Sequence, residues 1–510
     1  MTLLLDDTAL HADDLVTVAR ATPDTPRPVG VHPAALERVG STRGALEAAI
    51  ASPEPFYGVN TGFGSLSRTR IEGGDLRALQ TNLLRSHAAG VGEPLPVPVV
   101  RAMLVCLASS LARARSGVRP VVIERVCDLL NRHVTPVVPE LGSVGASGDL
   151  APLAHAALVL LGEGEAFDPS GTRLPGAEAL SRAGLAPIAL EAKEGLALIN
   201  GTHLMCARMA LILHDLDRLT HAAMLAGAMS IDACRATDAF LDPRVYELRN
   251  QPGPARAAAG LRDALEGSRI LADHRSGDPR VQDPYSFRCA AVVLGSALTA
   301  IEQARGVLGA ELGAVTDNPL VFPDGSGGAE IISAGNFHGM PLAIPLDTLA
   351  VAVSHVAGIA ERRVYHMLSV FDPETHLNPY LSPQPGLHSG LMIVQYTAAA
   401  LCNELIGLAT PASVANLSTS AGMEDYNSFG PRAAAKAARG VELARRVVAI
   451  ELLCAAQAID NHRPLTSGAR VEEAYARLRE RVPTLTEDRP PSPDIETIAQ
   501  MIADGAFERV

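Results

Sequence analysis

Residues 202–236 read THLMCARMALILHDLDRLTHAAMLAGAMSIDACRA, with one glycine (Gly227) and no proline. A run of this length with so few breakers predicts one continuous helix, because an interior glycine costs about 1 kcal/mol and a proline about 3 kcal/mol relative to alanine. Stretches 286–313, 342–370, 389–409 and 430–458 share its character: few glycines and almost no prolines inside. Each is far longer than the average globular helix of about 11–12 residues. Long Ala/Leu-rich helices joined by short connections predict a mainly α fold, an elongated bundle. Composition points the same way. Aromatic residues make up 4% of the chain and tryptophan is absent, so the core must come from Leu, Ala, Val and Ile. The first two favour helices.

Outward from these helices the pattern changes. Leu76, Leu79, Leu83 and Leu84 recur at helical spacing after Asp75. Two further helices are expected over Val99–Arg115 and Val121–Arg132, and a buried apolar one over Pro152–Leu161. Residues 1–50, with Pro23, Pro26, Pro28 and Pro33, read as short elements broken by prolines. The stretch from Pro53 to Ser65 is rich in turn formers and reads as a loop. Residues 165–190 read as a short hairpin or loop excursion. Near the C-terminus, Arg489-Pro490-Pro491-Ser492-Pro493 forms a rigid connector before one last short helix. The expected division is a smaller N-terminal region over 1–200 and the long-helix bundle with its C-terminal helices over 201–510.

The chain has 510 residues, 47% hydrophobic and 19% charged, with a formal net charge of −13. That balance argues against a nucleic-acid partner, which calls for a basic stripe. It suits a soluble cytoplasmic protein. The N-terminus lacks the basic and apolar segments of a signal peptide. The apolar runs Leu150–Leu161 and Leu391–Leu401 are too short to span a membrane. Seven cysteines at wide spacings, without a CxxC, read as reduced buried thiols and not as a disulfide frame or zinc site. The 15 histidines are scattered and form no HExxH, so no metal site is expected; His155, His355 and His366 read as core or interface groups.

The chemistry concentrates in Leu141-Gly142-Ser143-Val144-Gly145-Ala146-Ser147-Gly148-Asp149, too glycine-rich for a helix. One reading is a helix N-terminus capped by Ser147 or Asp149. A serine-hydrolase reading fits poorly, because the spacing is not G-x-S-x-G and no strand signal precedes it. The third reading is a backbone cyclisation. The amide nitrogen of Gly148 attacks the carbonyl of Ala146, which requires a residue without Cβ as attacker and a small residue at the attacked carbonyl. Loss of water from Ser147 then leaves an exocyclic double bond. The product is a methylidene-imidazolone, an electrophile that no side chain supplies.

This segment, through Leu150-Ala151-Pro152-Leu153-Ala154-His155, resembles the signature of the aromatic amino acid lyase family, which makes that prosthetic group from Ala-Ser-Gly. Further family-like blocks follow in family order: Tyr57-Gly58-Val59-Asn60-Thr61-Gly62-Phe63-Gly64, Leu198-Ile199-Asn200-Gly201-Thr202, Val281-Gln282-Asp283-Pro284-Tyr285-Ser286-Phe287-Arg288-Cys289, Thr316-Asp317-Asn318-Pro319-Leu320 and Gly335-Asn336-Phe337-His338-Gly339. The resemblance runs from about residue 10 to the C-terminus. It implies elimination of ammonia from an α-amino acid, with no external cofactor, in a homotetramer whose active sites draw on three chains.

Elimination requires a base for the scarcely acidic β-proton and a clamp for the substrate carboxylate. Tyr57 resembles the family's catalytic tyrosine. Arg288 is of the class that grips a carboxylate through two parallel hydrogen bonds, and it lies three residues after Tyr285, on one helical face if that turn is helical. The resemblance implies that Tyr285, Asn200 and Gln282 assist binding and orient the electrophile, and that Phe337 packs near its ring. Ser86-His87 stands where the family reads the substrate ring, and histidine-acting members carry Ser-His there. Glu424 stands where those members carry glutamate; a carboxylate can pair with imidazole but would be stranded against a phenyl ring. Both imply L-histidine as substrate and trans-urocanate as product. Met340, Met423 and Tyr426 depart from the usual Glu, Gln and His, and Ala290-Ala291-Val292-Val293 replaces a common Pro-Gln. The rival readings are a tyrosine or phenylalanine lyase, a 2,3-aminomutase of the same family, and, remotely, a helical scaffold without activity.

Overall fold

The structure, a computed structural model, describes residues 2–51, 54–64, 69–325, 327–369 and 372–508. It is mainly helical, as the breaker-free runs predict. The five long runs form the helices His203–Ala233, Ala290–Glu311, Met340–Met367, Met392–Ala409 and Gly430–Asp460. The one interior proline is Pro345, in the second turn of its helix.

By packing, the chain divides into two compact units. The first comprises residues 1–211, 305–346 and 412–435; the second comprises 212–304, 347–411 and 436–510. The boundaries at 211, 304, 346 and 435 fall inside long helices.

The first unit holds all the strands among the described residues. They pair as Leu3–Leu5 with Val29–Val31 in parallel, and antiparallel as Val91–Pro94 with Pro139–Leu141 and Leu320–Pro323 with Ala329–Ile332. A three-stranded antiparallel sheet orders Thr135–Pro136, Glu165–Phe167 and Arg173–Pro175. The last two make the hairpin expected over 165–190, and the helix Gly176–Arg182 follows. Helices Leu76–His87, Leu150–Leu160 and Glu194–Ile199 pack against one another, each presenting a Leu/Ile/Ala face.

The expected short elements appear as Leu3–Leu5, Ala12–Ala19 and Val29–Val31, with Pro23, Pro26 and Pro28 between the last two; residues 33–50 depart from expectation. Pro33–Ile50 is a single helix of 18 residues, not a set of short broken elements. Pro33 starts it, at a position where its missing N–H is no loss. The His32 ring nitrogen accepts from the Ala34 N–H and caps it. Leu46 of this helix packs on Val59 and Val321, all three fully buried, with Phe56 and Ile331 alongside. Each such side chain contributes roughly 1.5–3 kcal/mol, and together they anchor the loop that carries Tyr57. Pro53 and Ser65, the ends of the expected loop, lie outside the described residues; Tyr57–Asn60 between them form turns.

The regular elements of the second unit are all helices among its described residues, with Pro252–Leu265 packed on Pro243–Arg249 and Ala469–Arg479. The expected last short helix is Ser492–Ala503. The apolar run that begins at Leu391 extends beyond Leu401: Met392–Ala409 has 18 residues and leaves Ile393, Tyr396 and Ile406 exposed. Helical continuity through Asn403 and Glu404, not the uninterrupted apolar run, sets its length. With Ala290–Glu311 and Met340–Met367 it is long and apolar enough to cross a membrane, by length and composition. All seven cysteines are free; five are buried, Cys289 and Cys402 half-buried.

Candidate functional site

The loop from Gly142 to Asp149 is held by its own backbone and by two neighbouring segments. Ser143 Oγ donates to the Gly148 carbonyl (3.2 Å) and accepts from Gly145 N (3.2 Å). Ser428 Oγ donates to the Gly145 carbonyl (2.9 Å), and Phe429 N to the Val144 carbonyl (2.9 Å). On the other side Asp149 N donates to Gly201 O (2.8 Å) and Gly201 N to Ser147 O (3.4 Å). Gly148 has φ +75°, and a Cβ there would sit 2.0 Å from Gly201 O. The position therefore admits glycine alone, for reasons of space and of backbone conformation.

Asp149 does precede a helix, Leu150–Leu160, but its side chain does not cap it. Its Oδ2 accepts from Leu204 N (2.9 Å) and Met205 N (3.1 Å), in the first turn of His203–Ala233. Burial pushes this carboxyl up to about 7, against the two N–H bonds. The loop Gly142–Asp149 is thereby tied to the start of the 31-residue helix His203–Ala233.

Ser147 opens on a cavity of about 590 Å³ in the first unit, walled in part by Leu79, Leu83, Leu150 and Leu196 and, for half of its lining residues, by polar side chains. Such a balance suits a small, polar-tipped ligand. Tyr57, His87, Ser147, Asn200 and Glu424 all line it. Tyr57 arrives on the turn fixed by buried Val59, and its hydroxyl accepts from Gly64 N (3.2 Å). Glu424 accepts from Ser147 Oγ (3.1 Å) through one oxygen and from Thr419 Oγ1 (2.8 Å) through the other. A bridge between Thr419 and Glu424 closes that turn.

His87 ends the helix Leu76–His87. Its Nδ1 lies 2.9 Å from the Leu83 carbonyl, an acceptor only, so the proton belongs on Nδ1 and Nε2 is left to accept. Burial pushes its pKa down, opposed by the Leu83 bond and the Glu424 charge. The net shift is downward and favours the neutral ring.

Asn200 follows the short helix Glu194–Ile199. It is 4% exposed, and its Oδ1 has no hydrogen-bond partner. Two ion pairs secure this helix, one buried and one with a half-buried arginine. Lys193 Nζ donates to Asp317 Oδ2 (2.6 Å), with both side chains buried. Arg119 holds fully buried Glu194 through both carboxylate oxygens (2.9 and 2.8 Å). Burial lowers the Lys193 pKa, and the Asp317 carboxylate opposes the shift. These four residues, with Asn82 on the cavity wall and Thr419 behind Glu424, escape a reading of the chain by local pattern. The one available signal was the block containing Thr316-Asp317-Asn318.

Phe337 is half-buried and does not line the cavity. Its loop is fixed by Asn336 Nδ2, which donates to the Val315 and Asp317 carbonyls (3.0 and 2.6 Å). His338 Nε2 lies 3.0 Å from the Tyr426 carbonyl. Met423 and Tyr426 are largely exposed.

Gln282, Tyr285 and Arg288 belong to the second unit and do not line this cavity. They form a group of their own. Tyr285–Arg288 is one helical turn, and the Arg288 guanidinium lies 4.3 Å from the Tyr285 ring centroid. With its amide oxygen turned towards Arg288, Gln282 accepts from Nη1 (2.8 Å) and Nη2 (3.2 Å). Tyr285 is 69% exposed. Among the described residues, the cavity itself has no lysine or arginine in its lining. A ligand carboxylate held there would need its counter-charge from elsewhere.

Residues 10–480 match the model of the aromatic amino acid lyase family. A histidine ammonia-lyase of Anaeromyxobacter sp. (strain K) is 50% identical over 514 residues, covering 99% of both chains. The crystal structure of histidine ammonia-lyase from Trypanosoma cruzi superposes with a TM-score of 0.91 at 37% identity, covering 100% of this chain and 94% of that one. A tyrosine aminomutase from Streptomyces globisporus superposes with a TM-score of 0.91 at 32% identity, covering 100% and 98%.

Proposed function

The chain belongs to the aromatic amino acid lyase family and is a carbon–nitrogen lyase; on that premise we propose that it eliminates ammonia from L-histidine to give trans-urocanate. The observation that carries this reading is the presence of His87 and Glu424 in one cavity with Ser147. A neutral imidazole acceptor and a carboxylate face the space a substrate would fill, and both match a ring that carries N–H groups.

The residues fit a methylidene-imidazolone. Gly148 has the left-handed backbone and the absence of Cβ that the attacking residue requires, Ala146 is small and buried, and Asn200 presents an unsatisfied amide oxygen nearby. In the proposed maturation the Gly148 nitrogen bonds to the Ala146 carbonyl carbon. One water leaves on ring closure and a second with the Ser147 hydroxyl. The ring supplies an electrophilic double bond that makes the substrate amine a better leaving group. Tyr57 removes the β-proton, His87 and Glu424 orient the imidazole, Asn200 fixes the amide side of the site, and Phe337 packs near the ring. Gln282 and Tyr285 support Arg288, which grips the carboxylate through two parallel hydrogen bonds.

The proposed working form is a homotetramer in the cytoplasm, in which neighbouring copies complete each site. Two observations support it. The cavity lining lacks a cation among the described residues, and Met392–Ala409 leaves Ile393, Tyr396 and Ile406 uncovered. A second copy would bury that apolar surface.

The test is a substrate panel on purified enzyme, with L-histidine, L-tyrosine and L-phenylalanine offered separately. Ammonia release and the ultraviolet absorbance of each conjugated product are followed, with Ser147→Ala in parallel. Turnover of L-histidine, lost in Ser147→Ala, is expected. Turnover of L-tyrosine or L-phenylalanine instead would overturn the substrate, and near-full activity of Ser147→Ala would overturn the mechanism.

A further inference from the structure

The turn that carries Tyr285 and Arg288 rests on a buried ion pair. Arg363 on Met340–Met367 and Glu451 on Gly430–Asp460 are both fully buried. Arg363 donates to Glu451 through Nε and through Nη2 (3.0 Å), and Ser230 Oγ on His203–Ala233 donates to the same carboxylate (2.7 Å). The remaining arm, Nη1, donates to the backbone carbonyl of Ser286 (3.1 Å). Ser286 lies between Tyr285 and Arg288. The next residue, Phe287, is 1% exposed and packs on His366, with centroids 5.6 Å apart, about one turn beyond Arg363 on the same helix.

A buried pair of this kind adds little net stability, because the desolvation of two charges offsets their attraction. What it does supply is direction. A planar guanidinium locked by two bonds to Glu451 can point its third arm one way only. We propose that Arg363 and Glu451 are positioning residues for the carboxylate clamp: they fix the 285–288 turn so that Arg288 meets the substrate carboxylate in bidentate register. This rests on the reading of Arg288 as that clamp. Bidentate recognition tolerates little angular error, so a small rotation of the turn would weaken the carboxylate contact and spare contacts to amine and ring.

The experiment compares two ligands on full-length enzyme: L-histidine, through its KM, and L-histidinol, which keeps amine and ring but lacks the carboxylate, through its inhibition constant. The double variant Arg363→Met/Glu451→Leu removes both charges together and leaves no charge stranded. It should raise the KM for L-histidine about tenfold and leave the L-histidinol constant within about twofold. Arg363→Lys, a milder change that shortens the arm to Ser286, should show the same split at smaller size and serves if the double variant does not fold. Arg288→Met, run alongside, should reproduce the split. If Arg288→Met shows it and neither Arg363 variant does, positioning is refuted while the clamp stands. If the Arg363 variants weaken both ligands equally, the pair is merely structural and the proposal falls. If Arg288→Met leaves both ligands unchanged, the clamp reading itself is wrong, and the proposal goes with it.

Discussion

Replacing Gly148 by alanine should stop maturation of the electrophile without unfolding the chain. Two costs add at this position. An alanine at φ +75° is in the left-handed region, at roughly 1–2 kcal/mol. Its Cβ would also lie 2.0 Å from Gly201 O, where contacts under 3.0 Å force a shift, so loop and Gly201 must part by about 1 Å. The Asp149–Gly201 and Gly201–Ser147 bonds span that gap and resist the movement. A strain of about 3 kcal/mol, if carried into ring closure, slows it by about 100-fold. The assay is intact mass, in which the mature chain is lighter than its encoded sequence by two waters, together with near-ultraviolet absorbance and ammonia release. The variant should keep its encoded mass and helical circular dichroism and lose activity. A Gly148→Ala chain that still loses two waters and turns over at near wild-type rate would refute both the assignment of the attacking nitrogen and the steric argument.

Three further outcomes follow from the geometry. His87→Leu and Glu424→Gln should each lower kcat/KM for L-histidine by about 10–100-fold, since each leaves a ring N–H or its partner unpaired at roughly 1–3 kcal/mol; steady-state kinetics that match wild type would remove the specificity argument. Lys193→Met strands the buried Asp317 carboxylate and should cost about 3–5 kcal/mol, most of it recovered when Asp317→Leu is added; urea unfolding in which the double variant is no better than the single one would contradict this. His203 is fully buried and its pKa is pushed down to about 4 from 6.5 by desolvation. A depressed folded-state pKa means that stability is complete above about pH 6.5 and is lost as pH falls through about 4, up to about 3 kcal/mol. The advantage of wild type over His203→Gln should therefore shrink between pH 7 and pH 4.5, and a difference that stays constant with pH would rule this out.

Much of the fold was legible because helix formation is largely local. The long runs poor in Gly and Pro became His203–Ala233 and its four counterparts, and glycine-rich 142–149 became a loop. The same rules misjudged Pro33, because proline breaks a helix from within and starts one at its first position, a distinction that position alone decides. At the site, residue types carry the proposed chemistry: a Cβ-free residue at 148, a dehydratable one at 147, a tyrosine and an arginine with separate proposed tasks.

Their placement was another matter. The amino-acid sequence determined which helices form and which groups are available to react. Only the tertiary structure decided that Asp149 ties down the helix beginning at His203 and not its own, and that Lys193 meets Asp317 across 124 positions. It alone brought Arg363 to the backbone carbonyl of Ser286, between Tyr285 and Arg288. The physical reason is that periodicity and propensity act within a turn or two of helix. Ion pairs, buried carbonyls and steric fit act between segments that meet only when the chain has folded.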